Sequence, residues 1–221
     1  SVAPTSRLGL MFSWQRLAGV VLGLLGAGVL LALTGSPERR LPPSGAILSE
    51  CDGRLRALVV HYEPGAGEIV MPVYRDFLRG LGAGPQVYVV CPDKGAFDGF
   101  VAALGKVECG LKPIVTGHAI TAWARDRWVA LGPAARGGAT TLWSPRGEAG
   151  GEVWPARAGD EQVGRDIAAA LGASVRARRS GLYFDGGDFL ADGENVFVMP
   201  RVLPRNVQQT VGSRPELVAL L

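Results

Sequence analysis

Apolar and polar positions alternate along the chain in segments that predict strands and helices in turn. Residues 56–62 form a β-branched apolar run typical of a buried strand, and apolar residues recur at helical spacing over 68–81. The same criteria predict a second strand at 86–90, a second helix at 96–104 and a third strand at 112–116. The first half of the folded part is therefore predicted to have the order βαβαβ.

The second half predicts a hairpin followed by another strand and helix unit. Strands at 127–131 and 140–143 flank a Gly- and Ala-rich turn, and an amphipathic helix follows at 160–171. We expect Asp160 to be the N-cap of this helix and Gly172 to end it. Further strands are predicted at 174–178, at 182–184 continuing at 189–190, and at 195–199. Repetition of such units predicts an α/β repeat architecture.

A long apolar run near the N-terminus predicts a membrane anchor or an export signal. Residues 17–34 carry no charge, and their length lies between that of a signal-peptide core and that of a membrane-spanning helix. We favour an uncleaved anchor, with a cleaved signal or a buried helix as alternatives. The domain is then membrane-anchored or exported and lies outside the cytoplasm. The predicted organisation is an anchor or signal at 1–36, a proline-rich linker at 37–46 and a folded domain at 47–221.

Composition and charge exclude several classes of protein. The 48% apolar content of the 221 residues excludes a disordered chain. Lys and Arg number 23 against 20 Asp and Glu, and two of those arginines lie in the first 36 residues, which contain no acid. The remaining 21 cations nearly balance the 20 acids, so we expect no binding to nucleic acid.

The cysteines and the clustered aspartates do not predict a metal or a disulfide framework. Cys51, Cys91 and Cys109 lack ligand spacing, and we expect Cys91 and Cys109 to be buried apolar residues. The spacing of the acids in 185–192 does not fit a calcium loop. We therefore predict no metal and no cofactor.

Two short acidic segments carry the candidate chemistry. The first, TAWARDRW at 121–128, contains Trp123 and Asp126, and the second, YFDGGDFLADG at 183–193, contains Asp185. The glycines after Asp185 place it at a bend that larger residues would crowd. Two carboxylates beside an indole suit a guanidinium, because its planar fork takes bidentate hydrogen bonds and its charge is attracted to the ring face. Alternatively, Asp126 pairs with a flanking arginine on the surface and the second segment is an ordinary turn.

In this order, followed by NVFV and PRN, the two segments resemble the agmatine deiminase and bacterial peptidylarginine deiminase family of the guanidine-modifying pentein superfamily. The resemblance covers residues 58–206. It implies an α/β fold, a pentein-like propeller of repeated strand and helix modules that is incomplete here and follows the transmembrane or signal helix. It also implies that Asp126 holds the substrate guanidinium, that Asp185 replaces the family's Glu, and that Trp123 and Gly186 line the substrate site. Asp126 and Asp185 are the catalytic candidates.

The activity implied by the resemblance is hydrolysis of a guanidino group to a ureido product and ammonia. In that family a cysteine thiolate adds to the guanidinium carbon, and the carboxylates position the cation. The family's His-x-Asp motif and nucleophilic Cys lie later than Asp185, whereas His61, His118 and all three cysteines precede it. We therefore expect a fragment of a longer deiminase that is inactive as this chain, with a natural truncation as the alternative. His118 is expected to be a hydrogen-bonded structural residue.

Substrate and partner expectations follow from the same residues. The partner is a guanidino small molecule such as agmatine or the arginine side chain of a peptide, the latter favoured by export. The alternatives are a noncatalytic membrane-tethered guanidinium-binding module and a structural domain. We expect Asp126 and Asp185 to converge to about 10 Å or less in one cleft. Occupation of their oxygens by neighbouring arginines would count against this hypothesis.

Overall fold

A computed structural model describes residues 45–49, 55–133, 137–146 and 157–221, all within the compact unit Leu41–Leu221. The apolar run 17–34, most of the predicted linker and Cys51 lie outside the described residues. Among the helices of the described ranges, none combines the length and the apolar character that crossing a bilayer requires. The anchor therefore stays a prediction.

The first half is a parallel sheet with helical crossovers, as predicted. Its strands pair in the order β1-β2-β3, and each crossover contains one helix, α1 or α2. The elements are β1 (Ala57–His61), α1 (Gly67–Gly80), β2 (Gln86–Cys91), α2 (Lys94–Leu104) and β3 (Gly110–Val115). Apolar side chains of β2 and of both helices share one core, to which Leu78, Val87 and Phe100 belong. Because the strands are parallel, the loops after β1 and β3 leave the same edge of the sheet.

The second half begins with a four-element module. Strands β4 and β5 pair antiparallel as the predicted hairpin, and β6 then adds to β5 in parallel. The elements are β4 (Val129–Leu131), β5 (Thr140–Ser144), α3 (Asp160–Leu171) and β6 (Val175–Arg179). Ile47 forms an antiparallel bridge with Leu131, so the start of the folded domain lies beside this sheet.

A further module repeats the first elements of that order. The elements are β7 (Phe189–Ala191), β8 (Val196–Val198), α4 (Val202–Asn206) and α5 (Arg214–Leu220). Strands β7 and β8 form an antiparallel pair, and both helices follow it. Trp143 of the preceding module packs against Phe184 with ring centroids 4.8 Å apart, and Phe184 packs against Phe189 at 5.1 Å. This aromatic cluster joins the two modules into one core.

Two predicted strand boundaries were wrong. Residues 182–184 form no strand, although Leu182 and Phe184 are buried. The alternation there arises because Leu182 and Phe184 pack into the core. The backbone does not pair as a strand: the N–H of Leu182 donates to the Ser180 side chain, and that of Tyr183 donates to the Asn206 side chain. The predicted strand at 127–131 begins only at Val129, after a 3-10 turn.

The predicted N-cap of α3 was also wrong. Gly159 is the N-cap, and Asp160 is the first helical residue. The Asp160 carboxylate accepts hydrogen bonds from Thr121 instead of from its own helix. Gly172 ends the helix as predicted, with a φ of 64° that favours glycine.

Candidate functional site

The two acidic segments occupy equivalent places in the fold. Each forms a 3-10 turn that follows the last strand of one unit and directly precedes the first strand of the next. The turn Ala124–Arg127 precedes β4 and contains Asp126, and the turn Gly186–Asp188 precedes β7 and has Asp185 as its N-cap. The repeat architecture therefore brings the segments to corresponding positions although they lie about sixty residues apart in sequence.

The two segments are in direct contact at Gly186. A Cβ atom built there would come within 3.0 Å of the carbonyl oxygens of Arg125 and Trp128. Arg125 also donates from Nη2 to the carbonyl oxygen of Phe189, at 2.9 Å. The predicted need for small residues is thus confirmed at Gly186. It is wrong at Gly187, where a Cβ would meet only the side chain of Arg125, at 3.7 Å.

A buried carboxylate and a buried amide fix the backbone around Asp185. Asp188 accepts a hydrogen bond from the backbone N–H of Asp185 at 2.8 Å and another from Arg201 Nε. Asn206 on α4 accepts from the N–H of Tyr183 at 2.8 Å and donates to its carbonyl oxygen at 2.7 Å. Asn206 has no accessible surface, so each of these bonds is made without competition from water.

A second buried carboxylate fixes the start of the first segment. Asp160 has no accessible surface and accepts from the N–H of Thr121 at 2.7 Å and from its hydroxyl at 2.6 Å. His61, at the end of β1, lies 3.1 Å from the carbonyl oxygen of Thr121 through Nδ1. The sequence predicts none of these roles of Asp160, Asp188 and Asn206. A polar residue at a helix end usually indicates a cap. The neighbouring sequence does not show whether such a residue caps its own helix or forms hydrogen bonds with a distant loop.

Each acid of the site holds a guanidinium of the same chain. Asp126 Oδ2 accepts from Arg157 Nη2 at 2.8 Å, and Asp185 Oδ2 accepts from Arg205 Nη1 at 3.0 Å. Arg201 Nη2 lies 3.5 Å from the same oxygen of Asp185. The surface-pairing alternative was thus right about an ion pair at Asp126, but the partner is Arg157 instead of a flanking arginine. Arginines of the chain therefore occupy Oδ2 of both Asp126 and Asp185, and this occupation counts against the guanidinium-site hypothesis as the sequence framed it.

The site is open to solvent on one side. The side chains of Asp126 and Asp185 are 25% and 20% exposed, and Trp123 is 64% exposed. The pKa of Arg201 is raised, chiefly by Asp188 and more weakly by Asp185 and Asp126. The segments that carry Asp126 and Asp185 meet at Gly186. The convergence of the two acids to about 10 Å stays a prediction.

The buried His61 makes the stability of the site sensitive to pH. Burial lowers the pKa of His61, and the hydrogen bond to Thr121 and the charges of Asp160 and Asp126 offset this only in part. His61 in the unfolded chain is therefore protonated near pH 6.5, whereas His61 in the native chain is protonated only at a lower pH. We expect the free energy of unfolding to fall as the pH drops below 6.5, by at most about 1.4 kcal/mol per pH unit from this group.

Urea unfolding at pH 7, 6 and 5 tests this expectation on the native chain and on His61→Gln. The glutamine variant is expected to be less stable at pH 7, because it replaces a fully buried side chain, but it lacks the titrating ring. Its unfolding free energy should therefore fall less between pH 7 and pH 5 than that of the native chain. Parallel pH profiles for the two proteins would show that His61 does not contribute.

Neither cysteine of the described residues suits nucleophilic attack. Cys91 and Cys109 are buried, as predicted, and burial raises the pKa of Cys91 to about 11 and also raises the pKa of Cys109. His118 is the hydrogen-bonded residue that the sequence predicts, 2.9 Å from Asp166 and 3.1 Å from the carbonyl oxygen of Ala119. Within the described ranges, no cluster of His, Cys, Asp or Glu could hold a metal ion.

Comparison with solved structures shows the fold of agmatine deiminases. An agmatine deiminase of C. jejuni with substrate bound superposes with a TM-score of 0.57 at 12% identity, over 78% of this chain and 50% of that one. The agmatine deiminase of Enterococcus faecalis gives a TM-score of 0.58 at 16% identity, over 80% of this chain and 50% of that one. A candidate arginine deiminase from Porphyromonas gingivalis gives 0.56 at 18% identity, over 78% and 52%.

The likeness extends over part of those proteins. The chain spans about half the length of the solved structures that it matches. No family model matches the sequence, and no curated protein matches it. The predicted pentein-like α/β fold is therefore confirmed at the level of architecture, as a likeness to one part of the deiminase structures.

Proposed function

We propose that this domain is the guanidinium-binding part of a guanidino-group deiminase. The observation that supports the proposal is the contact between the two acidic turns at Gly186, since each turn carries a partly exposed carboxylate and Trp123 next to the first turn is exposed. A planar cation is the ligand that this combination suits, because carboxylates accept its paired N–H donors and an indole face attracts its charge. The agmatine deiminase structures with the same fold support this choice of ligand.

In this proposal Asp126 and Asp185 position the guanidinium and balance its charge. Trp123 closes one wall, and Gly186 permits the close approach of the two turns. The chemical step needs a thiolate to add to the central carbon, loss of ammonia, and hydrolysis of the resulting adduct to a ureido product. Since Cys91 and Cys109 are buried thiols with raised pKa values, the described residues supply binding and positioning, and turnover requires a thiolate from elsewhere.

Isothermal titration of the full chain with agmatine and with N-acetylarginine amide tests the proposal. We expect Asp126→Asn and Asp185→Asn each to weaken binding about tenfold or more, because each removes a charge-assisted hydrogen bond. The matched control is Asp98→Asn, which removes an exposed carboxylate that pairs with Lys94 on α2. Tighter binding of agmatine would indicate a free amine substrate, and tighter binding of N-acetylarginine amide would indicate a peptide-like one. If neither site variant changes the affinity, the two acids do not bind the ligand, and the structural-domain alternative is the one that remains.

The second candidate is a noncatalytic guanidinium-binding module. The burial of both described cysteines favours it, because the described residues then hold a cation without a nucleophile. An assay for ureido product with the full chain separates the two functions. Binding without product supports the module for this chain, and product formation that depends on Asp126 supports the deiminase.

A further inference from the structure

Arg157 places a guanidinium on the carboxylate that the proposed function assigns to the substrate. Its Nη2 donates to Asp126 Oδ2 at 2.8 Å, and its Nε lies 3.8 Å from Asp160 Oδ2, beyond hydrogen-bond distance. The side chain comes from the segment directly before α3, so it reaches Asp126 from the neighbouring module. The chain thus supplies its own ligand of the class that the site is proposed to bind.

This internal ligand fits its place poorly. The Nε–H of Arg157 is buried and has no hydrogen-bond partner among the described residues. A buried donor without a partner opposes the bound position of the side chain. The ion pair with Asp126 is partly exposed on both sides, at 27% and 25%, and pairs of this kind shift an equilibrium by about fivefold or less. Displacement of Arg157 by another guanidinium therefore requires little free energy.

The arginines at the second acid differ from Arg157 in this respect. Arg201 and Arg205 contact Asp185, but both also lie against Asp188, which is buried and carries a charge that must be paired. Their removal would leave a buried carboxylate without its cations. Asp160, the buried acid near Arg157, is instead satisfied by two hydrogen bonds from Thr121. Loss of Arg157 would remove a cation that lies 3.8 Å from the buried Asp160, but it would leave that carboxylate with both of its hydrogen bonds.

We propose that Arg157 is a resident guanidinium that occupies the Asp126 subsite until a guanidino ligand displaces it. The inference rests on the proposed function, since it assigns Asp126 to ligand binding. It makes Arg157 the residue that sets the affinity and selectivity of the subsite. A monosubstituted guanidinium can replace both the charge and the planar fork of Arg157, whereas an alkylammonium ion replaces only the charge. The subsite therefore discriminates guanidines from amines of equal length.

Titration of full-length chains with agmatine, and with cadaverine as the amine probe, tests the inference. Arg157→Ala is expected to bind agmatine about fivefold to tenfold more tightly than the native chain, because the competitor is gone and two nearby acids have lost a cation. Arg157→Lys keeps the charge without the planar fork, so its affinity for agmatine is expected to lie between those of the native chain and of Arg157→Ala. The same Arg157→Ala change in an Asp126→Asn background should give no gain. Arg165→Ala, an exposed arginine on α3, is the matched control and should behave as the native chain does.

A spectroscopic measurement separates displacement from a structural effect. The Arg157 Nε–H resonance, assigned by its absence from Arg157→Lys, should exchange faster with water as agmatine is added to the native chain. Equal or weaker binding by Arg157→Ala overturns the inference, as does an unchanged exchange rate at saturation. If Asp126→Asn also leaves binding unchanged in both backgrounds, the proposed function fails as well. If Asp126→Asn weakens binding while Arg157→Ala does not strengthen it, only the resident guanidinium is wrong.

Discussion

Replacing Gly186 with alanine is expected to destabilise the domain by about 3 kcal/mol and to abolish binding of guanidino ligands. The added Cβ would come within 3.0 Å of two backbone carbonyl oxygens, those of Arg125 and Trp128. Backbone atoms cannot move aside as a flexible side chain can, so the two acidic turns must separate. Their separation disrupts the proposed guanidinium site, and the loss of packing lowers the free energy of unfolding.

The neighbouring glycine provides the matched control. At Gly187 a Cβ would meet only the Arg125 side chain, at 3.7 Å, which is an ordinary contact. Gly187→Ala should therefore stay within about 0.5 kcal/mol of the native chain and should retain ligand binding. Urea unfolding and agmatine titration of both variants give the comparison. Equal behaviour of the two alanine variants would show that the turns are not in close contact.

Much of the fold is predictable from the sequence because its signals are local. The βαβαβ half has long apolar runs, and the start of α2 is marked by Asp93, whose side chain accepts a hydrogen bond from the Ala96 N–H at 2.8 Å. The predicted start at residue 96 lies two residues inside this helix. The central strand β2 is largely buried against the crossover helices, so its composition differs clearly from that of loops. The hairpin of β4 and β5 is predictable for the same reason, since a glycine-rich turn separates two apolar runs.

The failures come from residues whose partners are distant in sequence. Leu182 and Phe184 alternate with polar positions as in a strand, but the backbone between them is held at Tyr183, whose N–H donates to the Asn206 side chain 23 residues later. Asp160 has the residue type and the position of a cap, and its partner lies 39 residues earlier, at Thr121. Such ties depend on how the modules meet, and periodicity carries no information about that.

The residues of the candidate site likewise include some that the sequence identifies and others that it does not. Asp126, Asp185 and Trp123 were identified from two short segments and a resemblance, and the structure places their segments in contact through Gly186. The arginines that occupy the two acids were not identified. The flanking arginines are adjacent in sequence, so local reading favours them as partners of Asp126, whereas the fold delivers Arg157 from 31 residues away. At Asp126 the charge partner is therefore set by the packing of tertiary structure and not by the adjacent residues.

The second large effect is expected at Asp160, which joins the first acidic turn to α3. Asp160→Ala should destabilise the domain by about 3 kcal/mol, because it removes a fully buried carboxylate and leaves the N–H and the hydroxyl of the partly buried Thr121 without their acceptors. Thr121 lies five residues before Asp126, so we also expect weaker binding of guanidino ligands. Asp160→Asn keeps one acceptor and the side-chain shape, and its loss should be smaller, about 1 to 2 kcal/mol.

A double-mutant cycle of Asp160→Asn with Thr121→Val measures the tie itself. We expect a coupling free energy of about 1 to 2 kcal/mol, because each single change removes the same charge-assisted hydrogen bond. The control on the same helix is Asp166→Ala, whose partner His118 is partly exposed and whose removal should cost no more than about 1 kcal/mol. Additive effects of the Asp160 and Thr121 changes would mean that the two side chains act independently. The position of Asp126 would then depend on the Gly186 contact alone, and Asp160→Ala would leave ligand affinity unaltered even where it lowers stability.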